Sequence, residues 1–227
     1  MQFELRTQVI EQRRKTFSNL VRRYGDRPAS RYEEGSVDIQ ATEHFHYRPL
    51  CAPTHAPTSP TYTVFRLTDP YSYMDPRQFY YAPYVQSRAA MGDAFAKSLE
   101  YVDSRGLLQK LPTGWDALVG DLLLPLRHYE AGAELLLIEG SRFAYGTTIE
   151  QACMYAAFDR IGNAQSISRI GIVYADGHDH ALSQAKEKWL TDPALQGLRR
   201  LIEELLVERD YAKELITLDL CDRLLYS

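Results

Sequence analysis

From residue 75 onward, apolar positions recur at helical intervals. Asp75-Pro76 reads as an N-cap followed by proline at the first helical position, where its missing N–H does no harm. Met91, Phe95, Leu99 and Val102 follow on one face, and Gly106 closes the segment. A second helical stretch runs from about Thr113 to Tyr145, with Pro125 expected to kink or split it. Gly146 ends that stretch, and Thr147-x-x-Glu150 predicts a capping box opening a third long helix toward Tyr174. Asp192-Pro193 repeats the start signal ahead of the stripe Leu195, Leu198, Ile202 and Leu205. Long helices, short links and scarce strand signals predict an all-α bundle. The pattern Leu215, Leu218, Leu224, Leu225 runs to the end without a glycine cap, so the expectation is a body lacking its C-terminal helices.

Residues 1–74 read differently. A short helix is predicted over residues 6–23, after which helical periodicity is lost. Prolines at 28, 49, 53, 57, 60 and 70 exclude long helices, leaving short strand-like pieces at Ser36–Gln40 and Thr61–Leu67. The large apolar side chains between residues 24 and 68 are too few to offset the entropy of ordering that much backbone. The division expected is therefore a mostly extended, partner-docking N-terminal arm over 1–74 and a helical domain over 75–227. The arm should lie on a surface already folded, either its own body or another chain.

Composition narrows the partners. A net charge of −4 gives no reason to expect nucleic acid, and the basic cluster Arg13-Arg14-Lys15 with Arg22-Arg23 is local. Cys51, Cys153 and Cys221 are odd in number, widely spaced and form no CxxC, which favours a reducing cytoplasm over a disulfide framework or structural zinc. The charged start MQFELRTQVIEQRRKTF does not read as a signal peptide, and the runs Leu122–Leu124 and Leu135–Ile138 fall far short of the ~20 residues of a membrane span. Sixteen tyrosines are the anomaly, and tyrosine suits wet contact surfaces because its ring buries while its hydroxyl stays satisfied.

Candidate chemistry is thin. Helical di-iron proteins use Glu-x-x-His in duplicate, yet this chain has only Glu43/His46, within EHFHYRPL. Pro49 biases that stretch toward extended backbone, where residues three apart face opposite ways. The pair is expected to dock on a surface, not to ligate a metal. Glu130 and Glu134 share a helix face, but no glutamate of the helical region has a histidine three residues on. His178-Asp179-His180 sits in a turn with no defined third and fourth ligand. No phosphate loop, GxSxG or evident nucleophile constellation is present.

The segments RRYGDRPASRYEE (22–34), DIQATEHFHYRPL (38–50), DPRQFYYAPYVQSRA (75–89), YGTTIEQACMYAAFDRIGNAQSISRIG (145–171) and WLTDPALQGLRRLIEELL (189–206) resemble the β subunit of bacterial multicomponent di-iron monooxygenase hydroxylases, most of all the phenol hydroxylase branch. The resemblance implies a ferritin-like fold in a cytoplasmic assembly with α and γ subunits, a dimer of αβγ trimers. It also implies a di-iron centre in the α subunit, a regulatory protein, and a reductase carrying FAD and an iron–sulfur cluster and fed by NADH. No catalytic, metal or cofactor residue is then expected in this chain. Where the resemblance puts the second Glu-x-x-His of the α subunit, this chain reads Asp159-Arg160-Ile161-Gly162-Asn163, with no imidazole. Tyr47, Arg48 and Pro49 in the arm, with Arg77, Tyr80 and Tyr81 at the first bundle helix, are the expected interface residues, since Tyr and Arg dominate hot spots, although packing within the chain would equally account for Tyr80 and Tyr81. Two other readings stand beside this one. The first is a self-contained metal-dependent oxidoreductase using Glu130, Glu134, Glu150 and His128. The second is a helical interaction protein unrelated to oxygenases. The aromatic substrate, whether phenol, a methylphenol or benzene, is not legible.

Overall fold

The structure, a computed structural model, describes residues 9–10, 17–39, 54, 56, 57 and 59–226. Glu43, His46, Tyr47, Arg48 and Pro49 lie outside the described residues. Helices dominate: α1 (Ser18–Tyr24), α2 (Arg31–Ser36), α3 (Tyr81–Ser104), α4 (Thr113–Ala117), α5 (Leu126–Phe143), α6 (Thr147–Tyr174), α7 (His180–Thr191), α8 (Pro193–Leu205) and α9 (Tyr211–Leu225). Of the range 6–23 expected to be helical, the described residues from Ser18 on belong to α1, whereas Val9–Ile10 (β1) pair antiparallel with Ala29–Ser30 (β2). Of the strand-like pieces expected at 36–40 and 61–67, Ser36 ends α2 and the other described residues are bends, a turn or irregular backbone.

Helix α5 is the axis of the body. Tyr129, Ala133, Leu136 and Leu137 on it are buried against Ala157 and Ile167 of α6, Ala185 and Trp189 of α7, Ile202 and Leu205 of α8 and Leu218 of α9. This is the apolar stripe logic of the sequence, realised around one helix that has few solvent-facing positions. Pro125 separates α5 from the preceding turns as expected. Leu118–Leu123 widen into a π-helix, with Leu124 N–H reaching back to Val119 O at 3.0 Å, before the proline interrupts the ladder. The α5–α8 crossing is close because residue 132 is glycine: a Cβ there would run into Cγ2 of Ile202, whose β-branched side chain is stiff and 4% exposed. Gly132→Val is expected to destabilise the chain by about 1–3 kcal/mol through overpacking, read as a lower urea midpoint at unchanged slope.

Two predicted starts moved. Asp75-Pro76 does not cap a helix. Asp75 is buried, its Oδ1 accepts from Arg77 N–H at 2.9 Å and its own N–H reaches the Tyr32 hydroxyl at 3.2 Å, so α3 begins only at Tyr81. Gly146, not Thr147, is the cap position of α6, and the Thr147 hydroxyl donates instead to the Ser36 carbonyl. The capping box occurs elsewhere, between Ser30 and Glu33 on α2. Asp192 caps α8 as expected, accepting from Ala194 N–H. Of the Met91, Phe95, Leu99, Val102 stripe only Leu99 is buried, and Met91 is 57% exposed.

The described parts of the first 74 residues rest on the body. Tyr62 stacks on Phe143 with ring centroids 4.7 Å apart, and Val64 N–H donates to Asp210 at 2.7 Å. Ser36 and Gly35 bond the Gln151 side chain on α6. Val64, Phe65, Leu67 and Tyr71 point outward.

Candidate functional site

Two polar clusters occupy adjacent sides of α6, about 100° apart around the helix. On the α3 face, Asp159 Oδ1 accepts from the Tyr84 hydroxyl at 2.8 Å and pairs with Arg88 Nε at 3.1 Å, while Oδ2 faces Arg77 Nη1 at 3.4 Å. Tyr84 stacks on Tyr155 with centroids 4.4 Å apart. Burial first, then the Asp159 bond, push the Tyr84 hydroxyl above the ordinary tyrosine range, so it stays a donor. Gly162, one turn on, packs near the Arg88 guanidinium.

On the adjacent side, three helices meet at Arg160. Its Nη1 donates to Glu130 Oε1 on α5 at 3.1 Å, and its Nη2 bonds Asp222 on α9. Asn163 Nδ2 donates to Glu130 Oε2 at 3.1 Å, the Tyr226 hydroxyl donates to Glu130 Oε1, and the Tyr129 hydroxyl donates to Asp222 Oδ1 at 2.8 Å. Glu130 and Tyr129 are fully buried. Burial alone would lower the Arg160 pKa, but the Asp222 bond and the Glu130 charge reverse this and hold it above its ordinary value. A broad, open groove walled by Leu123, Ile167 and Ile170 runs beside this cluster.

The metal-site candidates do not converge. Among the described residues no three His, Cys, Asp or Glu side chains come together to hold a metal ion. Glu130 is taken up by Arg160, Asn163 and Tyr226. His128 turns the other way, stacking on Trp189 with centroids 6.1 Å apart, and burial drives its pKa down to about 4. Glu134 and Glu150 are half-buried, and burial raises the Glu150 pKa. His178 and His180 are exposed beside one another. The donor set around Asp159 is likewise wrong for a di-iron centre, since two guanidinium groups and a phenol fill the space where imidazole and bridging carboxylates would be needed.

The expected interface residues divide. Arg77 turns inward to Asp75 and Asp159 and over the Phe79 ring. Tyr80 is half-buried at the head of α3, against Gly35. Tyr81 is 69% exposed, and Val85 one turn on is exposed on the same side. Sequence reasoning missed the second outward group, Trp115, Leu118 and Leu122 along α4 and the π-helix, although these apolar residues recur at helical spacing. No helix among the described residues is long and apolar enough to cross a membrane.

The family model described as methane/phenol/alkene hydroxylase matches residues 52–227. The chain is 44% identical over 213 residues to the phenol 2-monooxygenase oxygenase component MhpL of Acinetobacter pittii, covering 94% of this chain and 64% of that one. It is also 44% identical over 211 residues to the oxygenase component DmpL of a Pseudomonas species, covering 93% and 64%. The crystal structure of xenon-pressurized phenol hydroxylase from a Pseudomonas species superposes with a TM-score of 0.84 at 37% identity, covering 94% of this chain and 65% of that one. The chain thus spans about 64% of the length of the two named relatives.

Proposed function

The chain belongs to the methane/phenol/alkene hydroxylase family, and from that premise we propose that it is the non-catalytic β subunit of a multicomponent phenol hydroxylase. One observation supports the reading. Asp159, which the family resemblance sets where a catalytic subunit would have a metal-binding pair, is held by Arg77, Arg88 and Tyr84, so its charge is balanced from within the chain. In this reading the fold is ferritin-like, and the di-iron centre and the aromatic substrate belong to a partner α subunit, in a dimer of αβγ trimers. Electrons come from NADH through a separate flavin and iron–sulfur reductase, with a regulatory protein docking on the assembly.

The contribution of this chain is then mechanical. Reactive metal ligands must be fixed to a fraction of an ångström, and a second bundle locked by internal ion pairs is a stiff support for them. The arm, residues 1–74, completes that support by strapping its own body through Tyr62 and Ser36 while turning Val64, Phe65 and Leu67 outward, toward a neighbour. Tyr81 and the Trp115 group are the apolar anchors offered to partner subunits. Tyr47, Arg48, Pro49, Arg77 and Tyr80 remain contact candidates on the sequence alone.

Co-expression with the catalytic partner tests this. The expected result is an assembled, iron-containing hydroxylase, with chain purified alone holding no stoichiometric iron. Trp115→Glu with Leu118→Glu should leave the melting temperature of the isolated chain unchanged and weaken assembly at least about tenfold. A coupled ferric pair in the isolated polypeptide would overturn the assignment.

A further inference from the structure

We propose that the pair Glu139–Glu214 is a pH-operated catch for the N-terminal arm: residues 61–66 seat over the pair while Glu214 keeps its proton and lift away when Glu214 ionises. Glu214 on α9 is fully buried, and among the described residues neither of its oxygens has a hydrogen-bond partner. A carboxyl group in that setting stays neutral, because a buried charge without donors is strongly disfavoured. Ionising it requires water, and water requires that some covering element move.

The arm is that element. Tyr62 is buried between two rings, stacked on Phe143 with centroids 4.7 Å apart and tilted against Tyr211 at 5.8 Å. Phe143 lies one turn beyond Glu139 on α5, and Tyr211 lies one turn before Glu214 on α9, so one arm residue sits beside both carboxyl groups. A second tie is Asp210, which caps α9 and accepts from Val64 N–H at 2.7 Å. Helices α5 and α9 are themselves held in the core through Tyr129, Leu136 and Leu218, so the arm is the layer that yields first.

Most charges facing Glu214 oppose its ionisation. Glu139 acts from α5, Glu208 and Asp210 act from the α8–α9 link, and Arg209 of that link is the opposing cation. Cys153 of α6, beside Gly140 of α5, keeps its thiol proton because burial pushes its pKa up to about 12. Arg66 of the arm spends its guanidinium on the Thr63 and Phe65 carbonyls. Burial and the acidic neighbours hold the Glu214 carboxyl at about 8 while the arm is seated, and lifting the arm returns it toward 4.5. Docking of the arm is therefore complete below pH 4.5 and weakens as pH rises to about 8. The catch does not depend on the subunit assignment.

The test is hydrogen–deuterium exchange of the full 227-residue chain, with each rate divided by the intrinsic rate of that amide at the same pH. The Val64 amide is expected to be at least about tenfold less protected than amides of α5 around Leu136, so that it reports opening of the arm and not unfolding of the body. Its protection should fall at least about tenfold from about pH 6 to about pH 8. In Glu214→Gln, whose residue 214 is neutral throughout, that fall should be absent. Protection of Val64 that does not change with pH in the unaltered chain would overturn the catch. So would a fall that persists in Glu214→Gln, protection equal to that of α5, or no protection at pH 6.

Discussion

Arg160→Met is expected to destabilise the chain by about 3–5 kcal/mol, one of the largest losses any single surface-reaching side chain here would produce. Methionine preserves most of the aliphatic stem, so the change removes charge and donors while leaving packing largely in place. What remains is Glu130, with a side chain 1% exposed, facing Asp222 with no cation between them. Asn163 and Tyr226 still donate to Glu130, and Tyr129 still donates to Asp222, but neutral donors do not balance two negative charges. The control is Arg160→Met/Glu130→Gln. Removing the stranded carboxylate should restore most of the loss, because a buried ion pair is worth little against two neutral groups while half of one is costly. Urea denaturation of the three chains checks this. If the double variant were as unstable as the single one, Arg160 would matter for packing and not for charge.

That cluster also marks the limit of what the sequence discloses. The helices and their punctuation were legible where the signal is local. Pro125 splits a stretch because it lacks an N–H, and Asp192 caps α8 because its carboxylate reaches the N–H two residues on. Local signals misled where another segment claimed the same side chain. The Thr147 hydroxyl was diverted by the Ser36 carbonyl, and Asp75 was drawn into a turn beside Tyr32. The stripe on α3 was real as periodicity, yet periodicity does not say which neighbour covers a face, and of its four members only Leu99 is buried, while Tyr84 and Arg88 reach α6 from outside the stripe. The missing Glu-x-x-His was legible because ligand spacing within one helix is a sequence property. The Glu130–Arg160–Asp222 contact was not, because its members stand 30 and 62 residues apart and meet only once three helices have packed.

Glu214→Gln is expected to stabilise the chain at pH 8 by about 3–5 kcal/mol, taking about 1.4 kcal/mol per pKa unit. Glu214 is fully buried on α9, and neither carboxylate oxygen has a hydrogen-bond partner among the described residues. Burial first, then the charges of Glu139, Glu208 and Asp210, raise its pKa from 4.5 to about 8, with Arg209 opposing them. The folded chain therefore keeps a proton that the unfolded chain gives up. This contribution to stability is complete below pH 4.5 and is lost as pH climbs to about 8. His128 works the other way. Its pKa falls from 6.5 to about 4, so its contribution is complete above pH 6.5 and is lost as pH drops toward 4. Between pH 4.5 and 6.5 the two slopes nearly cancel, and above 6.5 Glu214 acts alone. Stability of the unaltered chain should thus be flat in the acid window and then fall by about 2 kcal/mol toward pH 8. In Glu214→Gln the fall should vanish and a rise from pH 4 to 6.5 should emerge, owed to His128. Urea midpoints across that range distinguish these profiles, and an unaltered slope above pH 6.5 in the variant would exclude Glu214 as its source.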